Sequence, residues 1–282
     1  MSARHKDDQR DKAVRFLEMH RSEDVLILPN AWDAATARIF EEAGFGAIGT
    51  TSAGITWSFG YPDGRQAGRE EMLGAVERIA DAVSVPVTAD IEAGYGNLPE
   101  EAAETAGAVI AAGAVGINLE DAHGLDGRPL ANVSLQVEKI KAIKKTAEGL
   151  GVPLVLNART DVYWLEVGSL EERFGHAVER ANAYREAGAD CLFVPGVRDR
   201  ETIAGLVREI DGPLNVLAGS GVPPISELKQ LGVARLSTGS GPVRAALALV
   251  RKIGEELIET GDYESMTENS LNYAETNRLF DG

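Results

Sequence analysis

Two acids one residue apart, Asp90 and Glu92, follow the short β-prone run Pro86-Val87-Thr88-Ala89 and lead into the turn Gly94-Tyr95-Gly96. Residues two apart on a strand point to the same side, so both carboxylates are expected to face one cavity at the strand's end. Carboxylates that close repel each other, and one keeps its proton unless a cation neutralises the pair. Hard divalent cations such as Mg2+ take oxygen ligands of this kind. For an isolated pair, a plain solvated strand end is the commoner reading. The same arrangement recurs along the chain, and that weighs for a site.

Other β-prone runs end in comparable groups. Glu120-Asp121, followed by His123, closes Gly116–Glu120, and Asn157-Ala158-Arg159-Thr160-Asp161 closes the run beginning at Pro153. Thr50-Thr51-Ser52-Ala53-Gly54 offers N–H and hydroxyl groups that could cradle a carboxylate. Arg159 is suited to a two-pronged grip on the same kind of anion. The Gly-Ser-Gly turns at 219–221 and 239–241 are either phosphate-binding loops or tight turns over a crowded rim.

The elements that must position these groups alternate regularly. β-Branched runs at Val25–Pro29, Ala47–Thr51, Pro86–Asp90, Gly116–Glu120, Pro153–Ala158, Cys191–Val194, Leu214–Leu217 and Ala234–Ser237 are separated by segments with helical apolar spacing. Several helices stop at Gly, as at Ala43-Gly44, Ala112-Gly113, Ala187-Gly188 and Leu231-Gly232. This α/β alternation predicts a (β/α)8 TIM-type barrel, with a doubly wound open sheet as the alternative. A helix is expected before the barrel at Asp11–Arg21, and another beyond it at Leu271–Leu279. With no evident linker, residues 1–282 read as one domain, with 262–282 as a C-terminal helical extension. An apolar helix outside a closed barrel needs a surface to cover, so a homo-oligomer is expected.

With 282 residues and a net charge of −16, the chain is a poor partner for nucleic acid or an anionic membrane. The lone Cys191 excludes an internal disulfide and fits a reducing, cytoplasmic setting. No Lys falls at a strand end, which argues against Schiff-base chemistry. His5, His20, His123 and His176 lack metal-ligand spacing, which argues against zinc.

Taken together, Asn30-Ala31-Trp32-Asp33-Ala34-Ala35-Thr36-Ala37-Arg38, Thr88 through Asn97, Asn118-Leu119-Glu120-Asp121 and Asn157-Ala158-Arg159-Thr160-Asp161 resemble the isocitrate lyase / phosphoenolpyruvate mutase superfamily. The resemblance spans roughly Leu28 to Val250. It implies a barrel, usually a tetramer with C-terminal helices exchanged between neighbours, that binds Mg2+ and a 2-oxo acid or its enolate. Mn2+ is a possible substitute. Carried over by position, Asp90 is the direct metal ligand, and Asp63, Glu92 and Glu120 hold its waters. Thr51, Ser52 and Ala53 then bind the substrate carboxylate together with Arg159.

The chain also departs from that pattern. The lyases' Lys-[KR]-Cys-Gly-His loop is replaced by Asp121-Ala122-His123-Gly124-Leu125-Asp126-Gly127, without Lys or Cys. His123 is the nearest candidate proton carrier, and an ordinary loop histidine is its plainer reading. The expectation is a Mg2+-dependent lyase acting on a small 2-oxo or 2-hydroxy acid in a dimer or tetramer. The alternatives are a non-catalytic 2-oxo acid binder, P–C bond chemistry of the phosphonopyruvate mutase or hydrolase type, and hydroxymethyl transfer to a 2-oxo acid.

Overall fold

The computed structural model describes residues 3–64, 67–122, 127–268 and 270–280. In chain order the elements are α1 (Ala3–Met19), β1 (Leu26–Leu28), β2 (Asn30–Ala31), α2 (Ala34–Glu42), β3 (Ile48–Thr50), α3 (Ser52–Ser58) and α4 (Arg69–Ala82). These are followed by β4 (Val87–Asp90), α5 (Pro99–Ala111), β5 (Gly116–Glu120), α6 (Val133–Leu150), β6 (Val155–Arg159), α7 (Leu170–Glu186) and β7 (Cys191–Phe193). The chain closes with α8 (Arg200–Glu209), β8 (Leu214–Leu217), α9 (Ile225–Leu231), β9 (Arg235–Ser237), α10 (Gly241–Glu259), α11 (Glu264–Thr267) and α12 (Tyr273–Arg278).

All strand pairs are parallel, in the order β1-β9-β8-β7-β6-β5-β4-β3-β2. The two ends of that order, β1 and β2, are consecutive in the chain. Pro29 lies between them and has no N–H to donate, but its carbonyl accepts from Gly49 N at 2.8 Å. One expected strand is thus split into two short segments that pair with opposite neighbours. Nine segments form the eight staves of a nearly closed barrel, as the alternation predicts. Helices surround it, and Val, Ile, Leu and Ala side chains fill the layer between.

α1 lies across the base. Gln9 Nε2 donates to the carbonyls of Ile110 and Ala114 at 2.7 and 3.0 Å, and Phe16 is fully buried. A Cβ on Gly116, the first residue of β5, would sit 2.8 Å from the Phe16 ring, so this close approach requires glycine. His20 Nδ1 bonds the Phe16 carbonyl at 2.8 Å, and its Nε2 lies 3.4 Å from Arg235 Nη1. Because a guanidinium can only donate, Nε2 must be the acceptor and the ring is neutral. Burial, reinforced by Arg235, holds the His20 pKa down at about 3.

The elements differ from the sequence expectation in several places. α1 runs from Ala3 to Met19 and not from Asp11 to Arg21. Residues 52–58 form a helix, capped by Thr51, where the sequence reading assigned no element. The C-terminal helix is shorter, Tyr273–Arg278 with Asn272 as its cap, and α11 precedes it. Among the described residues, no helix is long and apolar enough to cross a membrane.

Because folded His20 stays neutral down to about 3 while the unfolded ring protonates near 6.5, stability is fully present above 6.5 and falls as pH drops through that window. Between pH 7 and pH 5 the wild type should lose about 2 kcal/mol more unfolding free energy than His20→Gln in urea titrations. Equal losses in the two proteins would contradict the neutral buried ring.

Candidate active site

Asp90 ends β4 at the carboxyl rim of the barrel and is fixed by groups on the two neighbouring strands, β3 and β5, and on α3. Its N–H donates to Thr50 Oγ1 at 2.9 Å. Its Oδ2 accepts from Ser52 N–H and Oγ–H at 3.1 and 2.8 Å, and Oδ1 accepts from Asn118 Nδ2 at 3.0 Å. Asn118 Oδ1 in turn accepts from Asn157 Nδ2 at 2.9 Å. A buried amide ladder therefore runs across β4, β5 and β6 and sets the carboxylate's direction.

Arg159 ends β6 in register with Glu120 on β5. Its Nη1 lies 3.0 Å from Glu120 Oε2, and its Nε donates to Asp161 Oδ1 at 2.6 Å. The guanidinium stands 6.0 Å from the Trp164 ring and 5.8 Å from that of Phe193, within cation–π reach. Burial pulls its pKa down, but Glu120, Asp161 and Asp90 outweigh that and hold it above its ordinary value. Gly196 supports the arrangement. At φ +93°, with the Tyr163 and Trp164 backbone 3.1 Å from where a Cβ would stand, it lets the two loops touch.

Asp161 is itself fully buried, and its N–H donates to Asp121 Oδ1 at 2.9 Å. Asp121 Oδ2 accepts from Tyr184 Oη and Arg180 Nη1 at 2.7 and 3.1 Å. Asp121, which the sequence groups with the strand-end acids, thus faces away and braces the Arg159 clamp from behind.

The cavity at this rim encloses about 730 Å³ including its mouth, and its wall includes Thr51, Ser52, Ala53, Asp63, Asp90 and Arg159. Glu92 and Glu120 are not part of the wall, yet their charges act on one another. Burial, ahead of the opposing pull of Arg159, pushes the Glu120 carboxyl up to about 8, with Asp161, Asp90 and Glu92 adding to the push. Asp63 is raised by burial and then by Asp90, and Asp161 by burial and by Asp121 and Asp90 against the attraction of Arg159. Burial is the first cause of each of these three shifts, and the neighbouring acids add to it.

Three expectations need correction. β4 ends at Asp90, so strand alternation does not carry Glu92 to the same face. Glu92 is buried at the left-handed φ of 50°, and its carbonyl accepts from Glu120 N. The Thr51-Ser52-Ala53 cradle is mostly spent. Thr51 N donates to Ala31 O and Ser52 N to Asp90, leaving Ala53 N–H without an acceptor among the described residues. The two-pronged edge of Arg159 is occupied as well, because Nε donates to Asp161 and Nη1 lies against Glu120, and among the described residues Nη2 has no hydrogen-bond acceptor. His123 lies outside the described residues. Sequence reading passed over Trp164 and Phe193, and it took Asn118 only as part of a motif, without the role of holding Asp90.

Among the described residues, no three His, Cys, Asp or Glu side chains gather tightly enough to hold a metal ion directly. The oxygen-rich, proton-retaining acids instead fit a hydrated divalent cation with one direct carboxylate ligand.

Fold and rim together define a TIM-type barrel enzyme with an acid-rich strand-end site. The phosphoenolpyruvate phosphomutase family profile matches residues 16–258, so the chain belongs to that family, within the isocitrate lyase / phosphoenolpyruvate mutase superfamily. A 2-methylisocitrate lyase from Halalkalibacterium halodurans is 29% identical over 248 residues, covering 86% of this chain and 76% of its own. A crystal structure from Burkholderia cenocepacia J2315, under a provisional lyase/mutase description, is 36% identical with a TM-score of 0.91, covering 98% of each chain. Phosphonopyruvate hydrolase in complex with oxalate and Mg2+ is 25% identical with a TM-score of 0.83, covering 95% of this chain and 94% of its own. The chain is a lyase-type enzyme of this superfamily.

Replacing Asp121 with Ala removes the acceptor for Asp161 N–H, Tyr184 and Arg180 and strands a partly buried cation. Urea denaturation should show a loss of about 3–5 kcal/mol. A loss below about 1 kcal/mol would mean that the Asp121 network is not a structural brace.

Proposed function

We propose that this protein is a Mg2+-dependent carbon–carbon lyase or decarboxylase acting on a small 2-oxo or 2-hydroxy acid. The observation that carries the reading is the cavity wall in which Asp90 and Asp63 stand beside the Arg159 guanidinium. In this reading Asp90 is the direct ligand, Asp63, Glu92 and Glu120 hold the cation's waters, and Mn2+ can substitute. When bound there, the cation supplies positive charge beside a substrate oxygen that turns negative as the bond breaks.

The chain's own groups do the rest. Arg159 and Ala53, two residues of the wall, receive the substrate carboxylate through the guanidinium and the Ala53 N–H, which has no acceptor among the described residues, and the Thr51 and Ser52 side chains shape that end. The clamp by Glu120 and Asp161 keeps the guanidinium in place before substrate arrives, so little side-chain freedom is lost on binding. Trp164, Phe193, Pro195 and Leu217 form an apolar flank that restricts water around the reacting bond. Decarboxylation asks least of the site, because it needs no dedicated acid. A retro-aldol route needs a proton carrier, and His123 is our candidate.

The likeness to phosphonopyruvate hydrolase supports P–C chemistry as the second reading. Leu247, Val250, Leu257 and Ile258 on α10, with Tyr273 on α12, are exposed apolar side chains, and we take a second copy of this chain as their cover. Light scattering should therefore give the mass of a dimer or tetramer, and a monomer would contradict this. The lone buried Cys191 supports a reducing, cytoplasmic setting.

Thermal shift with and without Mg2+ over oxaloacetate, 2-oxoglutarate, pyruvate, methylisocitrate and phosphonopyruvate, followed by NMR of the hits, tests the activity. A Mg2+-dependent shift with substrate loss is expected, and Asp90→Ala should abolish the shift. Mg2+-dependent binding retained in Asp90→Ala would overturn the metal assignment. A shift without turnover of any hit would reduce the protein to a binder.

A further inference from the structure

Lysines on surface helices ordinarily keep their ammonium in water. Lys139, midway along α6, is fully buried, whereas Lys141 and Lys145 on the same helix are exposed. Its Nζ donates to the carbonyls of Ala93 and Gly96 at 2.9 and 2.8 Å. Both carbonyls belong to the turn that leaves β4 after Asp90 and carries Glu92. Two carbonyls converging on one point call for a cation, and a compact ammonium with three rotatable donors serves both at once.

The turn needs such support. Glu92 and Tyr95 stand at left-handed φ values of 50° and 53°, which side chains other than glycine hold only when their surroundings impose them. From α5, Thr105 Oγ1 donates to the Gly94 carbonyl at 2.9 Å. Glu101 Oε2 accepts from the Asn97 and Leu98 N–H groups at 2.7 and 2.9 Å and fastens the far end. On α6, three residues before Lys139 and on the same face, Gln136 is also fully buried. Its Nε2 donates to the Glu120 carbonyl at 3.1 Å, and Glu120 N–H donates to the Glu92 carbonyl at 2.9 Å. One face of α6 therefore grips the backbone of both rim segments that carry Glu92 and Glu120.

We propose that Lys139 is a positioning residue for the cation site. It acts through the Ala93 and Gly96 carbonyls to hold Glu92 where its carboxylate serves the hydrated cation, and Gln136 does the same for Glu120. This role rests on the Mg2+ reading of the rim and deepens it, since neither Lys139 nor Gln136 belongs to the cavity wall. A buried ammonium acts on a cation site in two ways of opposite sign. As a charge alone it repels the cation, so its removal tightens Mg2+ binding. As a positioning group it keeps the outer acids in place, so its removal weakens Mg2+ binding.

The test titrates the full-length protein with Mg2+ alone by calorimetry and follows hydrogen exchange in the metal-free protein. Lys139→Met, which keeps an unbranched side chain suited to a buried site, should weaken Mg2+ binding by about tenfold or more. It should also speed exchange at the amides of residues 92–98 while those of β5 and β6 stay protected. In a Glu92→Gln background the same change should cost less than about threefold, because its effect runs through Glu92. Thr105→Val, of nearly the same shape, frees only the Gly94 carbonyl and should weaken Mg2+ binding less. This milder variant decides the matter if Lys139→Met does not fold, and an unchanged affinity in it then counts against the role. Tighter Mg2+ binding in Lys139→Met would make Lys139 a charge only. An unchanged affinity with lowered stability would make it a plain brace, and either result overturns the proposal. The metal-free exchange separates the two failures. Wild-type protein that binds no Mg2+ overturns the metal reading, whereas exchange unchanged at residues 92–98 in Lys139→Met overturns this one.

Discussion

The structure depends most on a mismatch of charge held in place at the barrel rim. Arg159 is pinned by Glu120 at 3.0 Å and Asp161 at 2.6 Å, between two aromatic rings, with Asp90 and Asp63 on the same cavity wall. Burial first, and the neighbouring acids after it, outweigh the pull of Arg159, so Glu120 and Asp161 hold protons more tightly than free carboxylates do. Such an arrangement costs folding free energy and is supported from behind. Asp121, Tyr184 and Arg180 hold the Asp161 backbone, and the Asn118–Asn157 amides hold Asp90. An arriving cation and a carboxylate would each relieve part of the imbalance.

The barrel makes this possible by bringing residues distant in sequence to one rim. Parallel pairing sets Glu120 opposite Arg159 without any local turn to bring them together. The split at Pro29 lets the first staves bond to both neighbours, and so closes the ring on which the rim depends. At the other end α1 seals the base, and the neutral His20 lets it lie beside Arg235 without repulsion.

Much of this was legible in the chain. The β-prone runs and their terminal Asp90, Glu120 and Arg159 follow from local pattern, because a strand's end and its last side chain are local properties. Glu92 was misplaced because alternation stops where the strand stops, and a left-handed residue then resets the direction. The helix at 52–58 was not anticipated, because Ser52-Ala53-Gly54 drew notice only as a source of N–H and hydroxyl donors. Its formation spends the Ser52 N–H on Asp90, a contact 38 residues away in sequence. The position of Trp164 over Arg159 depends on the close approach of the Gly196 loop, which no local signal carries.

The central claim is that Arg159 competes with a cation for the same acids while recruiting the anionic ligand. Calorimetry on Arg159→Met measures both effects in one protein. Removing the guanidinium should leave the acids more negative and tighten Mg2+ binding in the absence of ligand. The same change should weaken oxalate binding in saturating Mg2+ by about tenfold or more, the equivalent of about 1.4 kcal/mol for one charge-assisted contact. Opposite shifts of the two affinities are the predicted result. Weakening of both, or an unchanged oxalate affinity, would contradict the account.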